Sequence, residues 1–233
     1  MTKYGEEDLE ILSDPGNRTP LQGMRRRSPV VAFLTAVLRL VVPVAFLLGT
    51  FVLAQYAQNH PVTVFDRYPS DQAERNLSAW LNAGHFVIPL TFFVIHLTNR
   101  AYGAGIAFGQ VVVAWAILAV GTVHFLPEIT GLISWWETPE QAPAFAASLL
   151  AGHLVAVIVF DMTRGPNWWK APFYAGLFGS AVYVGLSWAL MPAASSVAPA
   201  AEAAINFAMA ILLLLPYWIL RPLIRPLPGY GGA

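Results

Sequence analysis

Six windows of roughly 20 apolar residues govern what this chain can become, falling at about 35–56, 80–97, 106–125, 144–162, 172–191 and 203–223, with polar or Pro/Gly breaks between them. A hydrocarbon core about 30 Å thick is crossed by roughly 20 helical residues, so each window predicts one transmembrane helix. Composition agrees, with 57% of residues hydrophobic and 11% charged, against about 25% charged in ordinary globular domains. The expected fold is all-α: a polytopic membrane protein with six transmembrane helices in one bundle. It would comprise a flexible cytoplasmic tail (1–28), the six-helix domain (29–226) and a short cytoplasmic tail (227–233). The tail lacks apolar periodicity. The apolar run after Arg25, Arg26 and Arg27 is too long for a signal-peptide core of about 7–15 residues, and so reads as a retained anchor.

Charge placement supplies the orientation. Arg25–Arg27, Arg100, Arg164, Lys170, Arg221 and Arg225 all fall on one side of the six-span parse. The opposite loops hold Asp66, Asp71, Glu74, Glu128, Glu137, Glu140 and Glu202 against only Arg67 and Arg75. Because basic loops stay inside, both termini are expected in the cytoplasm. Trp80, Trp135 and Trp136 would then lie at the outer interface, and Trp168, Trp169 and Trp218 at the inner. Arg39, inside the first span, reads either as a snorkelling side chain or as a buried counter-ion. Small-residue pairs at i, i+4 (Gly105/Gly109, Ser148/Gly152 and Gly176/Ser180) predict close helix approach without specifying a substrate.

Few kinds of chemistry remain open. With no cysteine in the chain, disulfides, thiolate metal sites and cysteine nucleophiles are all excluded. Walker-A, Rossmann, HExxH and Gly-x-Ser-x-Gly patterns are lacking, and no basic patch suggests nucleic acid, so an enzyme is not expected. What the spans do carry is polar side chains: Asn82, His85, His96, Gln110, His124, His153, Asp161, Ser180, Tyr183 and Asn206. Unpartnered in a membrane, each would cost about 1–3 kcal/mol, so they should face the bundle interior or a wet cavity. His85 and His96 lie eleven residues apart on one helical face, roughly 16 Å along the axis, which raises b-type haem or pigment binding with His153 opposite. The expected depths of these histidines do not pair, and His124 reads as structural.

The segment FVIPLTFFVIHLTNRAYG (86–103) resembles the signature of the queuosine precursor transporter (VUT) family, with its PLTF motif, Asn and closing Gly. ASLLAGHLVAVIVFDMTRG (147–165), WWKAPFYAGLFGSAVYVGLSW (168–188) and LLLLPYWIL (212–220) are similar to that family's fourth, fifth and last spans. The resemblance covers about two-thirds of the chain, in order. It implies a multi-pass protein of the bacterial inner (plasma) membrane that imports 7-cyano- or 7-aminomethyl-7-deazaguanine without a cofactor. The substrate-binding residues carried over are Phe92, His96, Asn99, His153, Ser180, Tyr183 and Asn206. Apart from the resemblance, an imidazole with an ordinary pKa of about 6.5 makes His96 the residue through which import would be proton-coupled.

At four positions the chain departs from the family pattern: His96 and Tyr183 stand where it has Asp, Ala156 where it has an acidic residue, and Asn206 where it often has Lys. These departures keep an alternative open, a non-transporting membrane subunit or assembly factor with a second copy or another membrane subunit as its partner. Haem or pigment binding remains the further alternative.

Overall fold

The most polar of the expected spans becomes the most enclosed helix. A computed structural model describes residues 28–64, 81–129, 142–191 and 198–226, with side chains in the third helix as far as Gly121. Its helices are α1 (Pro29–Gln58), α2 (Gly84–Tyr102), α3 (Ala104–Ile129), α4 (Ala142–Met162), α5 (Lys170–Leu190), α6 (Ala198–Leu212) and α7 (Leu214–Leu220). Among the described residues no β-strand forms, and Pro61 and Asn82 make an isolated antiparallel bridge. Five helical segments are long and apolar enough to cross a membrane: Pro29–Gln58, Ala104–Gly121, Pro143–Met162, Lys170–Leu190 and Ala198–Leu220. They are compatible with a multi-pass membrane protein.

The window at 80–97 appears as α2, which is not among those five. Two histidines, two threonines, Asn99 and Arg100 lower its apolarity, and ten of its 19 residues are buried. It packs against α3, α4, α5 and α6, so protein takes the place that lipid would hold around its polar groups.

The chain divides into two units, Met1–Leu38 and Arg39–Ala233. The described part of the first is the start of α1, where Val30, Val31, Phe33, Leu34 and Leu38 are exposed. In the second unit Arg39 is exposed, which fits the snorkelling reading better than a buried counter-ion. Phe46, Leu212, Leu215 and Trp218 are more than half exposed, a surface suited to lipid. The core runs through Leu47, Phe51, Ile95, Val111, Leu149, Val157 and Phe160. Gln110 ties α3 to α1 by donating from Nε2 to the Pro43 carbonyl at 2.8 Å.

The tightest pair is α4 with α5, where Gly152 of one small-residue motif meets Gly179. A Cβ on Gly152 would lie 2.7 Å from the Gly179 carbonyl oxygen, and one on Gly179 would lie 2.9 Å from that of Gly152. Only hydrogen fits between these backbones. The α2–α3 turn also needs glycine: Gly103 takes φ 84° and donates its N–H to the Asn99 carbonyl at 2.9 Å.

The tails 1–27 and 227–233, the acidic residues Asp66, Asp71, Glu74, Glu137 and Glu140, and Trp80, Trp135 and Trp136 lie outside the described residues. So do the side chains of His124 and Glu128.

Candidate functional site

Helical propensity and burial place the sequence-predicted polar residues on α2, α4, α5 and α6, but only some of them converge. Phe92, Phe93 and His96 of α2 meet Gly176 and Ser180 of α5 and Asn206 and Ala210 of α6 across a narrow crevice. Pro89, Pro172, Leu213 and Leu214 complete the lining. Its free volume is about 10 Å³, room for roughly one water.

Two atoms on this lining stand out chemically. His96 Nε2 and Asn206 Oδ1 are buried and make no hydrogen bond, although both residues are only 4% exposed. Asn206 donates Nδ2 to the Glu202 carbonyl of its own helix at 3.0 Å, so its amide orientation is fixed and Oδ1 is left as a pure acceptor. The His96 ring stacks on Phe160 with centroids 5.5 Å apart and planes at 24°, which fixes its tilt. Leaving two buried polar atoms unmatched costs about 1–3 kcal/mol each, a penalty that a ligand or water can relieve.

The crevice also sits where prolines interrupt helical hydrogen bonding. Pro216 has no N–H to offer the Leu212 carbonyl, so one rung is lost where α6 passes into α7, while Leu213 N–H to Met209 and Tyr217 N–H to Leu213 continue the ladder on either side. Pro89 interrupts the hydrogen-bond ladder of α2 on the facing wall.

The other three candidates lie elsewhere. His153 is fully engaged between neighbouring helices. Trp115 Nε1 donates to its Nδ1 at 3.2 Å, so the ring proton must sit on Nε2, which donates to Thr91 Oγ1 at 2.8 Å; Thr91 in turn donates to the Ile88 carbonyl at 2.6 Å. Neither ring nitrogen is left over for a solute or for an axial iron. His153→Phe is expected to cost about 1–3 kcal/mol by orphaning the Trp115 and Thr91 groups. Thermal unfolding in detergent should show that loss with ligand affinity changed less than threefold.

Asn99 is consumed at the end of α2 where three helical ends meet. Its Nδ2 donates to the Val157 carbonyl of α4 at 3.0 Å, and Arg164 Nη2 donates to its Oδ1 at 2.5 Å and also to its backbone carbonyl. Arg164 Nε lies 2.9 Å from Asp161 Oδ1, a charge pair lacking hydrogen-bond alignment. Arg100, counted in the sequence among the cytoplasmic charges, is 3% exposed and donates Nε to the Ile224 carbonyl at 2.9 Å. Its guanidinium lies over Tyr217 at 6.0 Å, and that of Arg164 over Phe160 at 5.1 Å.

Tyr183 is 3% exposed, packs edge-on against Phe145 and neighbours the Glu202 carboxylate away from the crevice lining. The structure thus groups Phe92, His96, Ser180 and Asn206, and separates Asn99, His153 and Tyr183 from them.

Sequence reasoning passed over Thr91 and Trp115, and read Arg164 only as a loop charge and Gly176 only as a packing position. Arg164 had a visible signal, its i, i+3 spacing from Asp161. Gly176 had one too, since its small-residue partner Ser180 shares the crevice lining. In comparisons with known proteins, no family model, no curated protein and no solved structure matches this chain.

Proposed function

We propose that this chain is a small-solute importer of the bacterial inner membrane, of the queuosine-precursor type, with the α2–α5–α6 crevice as its grip. The observation that carries the reading is the pair of unmatched buried atoms, His96 Nε2 and Asn206 Oδ1, presented by two proline-interrupted helical segments. Polar atoms kept unsatisfied inside an apolar bundle belong where a transient guest completes them. Interrupted helices near mid-membrane are where transporters build such sites.

Six crossings accompany this proposal, with α2 as the enclosed one. The start of α2 is tied to the segment after α1, since Val62 N–H donates to the Leu81 carbonyl at 3.0 Å and Ala83 N–H to that of His60 at 2.9 Å. Its other end meets the ends of α4 and α7 through Arg164 and Arg100. Nineteen residues at 1.5 Å each span about 28 Å, close to a bilayer core. Arg100, Arg164 and Arg221 gather at this end, which the positive-inside rule assigns to the cytoplasm along with both termini.

A bicyclic base is far larger than the crevice as it stands. Entry therefore requires the wall that carries Asn206 to move away from α2. Proton coupling through His96 belongs to the same proposal, and an unchanged pH profile of uptake in His96→Gln would remove it.

The test is uptake of labelled 7-cyano-7-deazaguanine, with tRNA queuosine as readout, in a host lacking both its synthesis and its own importer. The chain should restore queuosine, and Asn206→Leu should cut uptake at least tenfold, about 1.4 kcal/mol of lost grip. No rescue, with the protein shown in the membrane, would retire the substrate. A stoichiometric membrane partner found alongside that failure would favour a non-transporting subunit.

A further inference from the structure

Phe160, on which His96 stacks, lies edge-on to Tyr217 at 6.5 Å, and around Tyr217 a second group of unmatched atoms gathers. Tyr217 is fully buried and its hydroxyl makes no hydrogen bond. Arg100 lies over the same ring, and its Nε and Nη2 donate to the carbonyls of Ile224 and Arg221 at 2.9 and 3.5 Å. Its Nη1 is buried and donates to nothing. Because two nitrogens anchor the planar guanidinium, the direction of the third is fixed as well.

Nη1 carries protons and no lone pair, so an acceptor must come to it, and the phenol can donate to that same acceptor. Charge decides which acceptor is favoured. The guanidinium groups of Arg164 and Arg221 act on Tyr217 along with that of Arg100. Among the described residues only Asp161 brings a carboxylate to this end of the bundle, and it pairs with Arg164 at 2.9 Å. The helix-end carbonyls that hold Arg100 carry partial charge only. An anion is therefore favoured over water, and a phosphate presents several oxygens to a guanidinium and a hydroxyl at once. Trp218, Ile219 and Leu223, on these same turns, are more than half exposed on a surface suited to lipid. Basic pockets between membrane helices close to the bilayer surface hold anionic headgroups.

We infer that Arg100, Arg221 and Tyr217 form a binding site for a phosphate group, carried by an anionic lipid or free in solution. Both unmatched donors are covered in this conformation, so the group enters as the partly exposed Arg221 side chain turns to meet it. The site is separate from the importer reading, since none of its three residues lines the crevice.

The experiment follows thermal unfolding of the full chain in neutral-detergent micelles. One arm titrates inorganic phosphate against sodium chloride of equal ionic strength. The other titrates phosphatidylglycerol against diacylglycerol with the same chains. A saturable rise of several degrees is expected in at least one arm: phosphate acting by itself identifies a free anion, and lipid acting without it identifies a headgroup. Arg100→Gln should need at least tenfold more ligand for half the shift. Tyr217→Phe should need at least threefold more, yet melt no lower than wild type without ligand, because the hydroxyl it removes has no partner. A purely structural hydroxyl would give the reverse pattern. No saturable rise in either arm, the same midpoint in Tyr217→Phe as in wild type, or a lower melting temperature of ligand-free Tyr217→Phe overturns the inference and leaves the importer reading standing.

Discussion

Asn99→Leu is expected to destabilise the bundle by about 1–3 kcal/mol, because the Asn99 side chain accepts from a buried arginine and donates to α4. The Arg164 side chain is 6% exposed and directs Nη2 to both oxygens of Asn99. Leucine has the same branched shape and is larger, so no cavity confuses the result. It removes the 2.5 Å contact to Oδ1 and the 3.0 Å bond from Nδ2 to Val157, leaving Arg164 Nη2 only the backbone carbonyl of residue 99 there. Melting temperature in detergent should fall by several degrees. Asn99→Asp keeps an oxygen toward Arg164 and should melt much nearer to wild type. If the leucine variant melted like wild type, the junction of α2 and α4 would not be held by this residue.

Gly152→Ala and Gly179→Ala should each cost about 1–3 kcal/mol through overpacking. The new methyl at position 152 would sit 2.7 Å from the Gly179 carbonyl oxygen and 2.9 Å from Tyr183 Cβ. At position 179 it would sit 2.8 Å from both Ala156 Cβ and Phe92 Cε1. Backbone cannot yield as a flexible side-chain tip does, so α4 and α5 must separate. The double variant should fall short of the sum, since the first separation relieves the second clash. Phe92 lines the crevice, so the same variants should also reduce uptake. Gly176→Ala separates the two effects: its methyl would meet Ala210 Cβ at 3.5 Å and His96 Cε1 at 3.6 Å, ordinary contacts that spare the fold while narrowing the crevice. Thermal unfolding and uptake measured on all four proteins check this, and equal stability of Gly152→Ala and Gly176→Ala would refute the close crossing.

Much of the helical layout was legible in the residue order, because a membrane imposes a length and a polarity on anything that crosses it. Five of the six windows became helices that meet both demands. The window at 80–97 shows the limit of that reasoning: α2 is a helix shifted toward Tyr102, and its polar residues are explained by neighbours that hydropathy does not reveal. The small-residue motifs were visible as spacings, yet only packing showed that Gly152 and Gly179 oppose each other while Gly105 has nothing near it. Among the candidate site residues, depth along a helix could be counted from the sequence, but partnership could not.

Sequence alone determined that imidazole, amide and hydroxyl groups would be carried into an apolar setting, since residue type and span length follow from chain order. Tertiary structure decided which of them are spoken for. Thr91 and His153 are 62 residues apart and Asn99 and Arg164 are 65 apart, yet each pair closes a hydrogen bond. His96 and Asn206 approach the same crevice and do not satisfy each other. The physical reason is that hydrogen-bond satisfaction belongs to pairs of atoms within about 3 Å, a distance set by helix packing and by no local pattern.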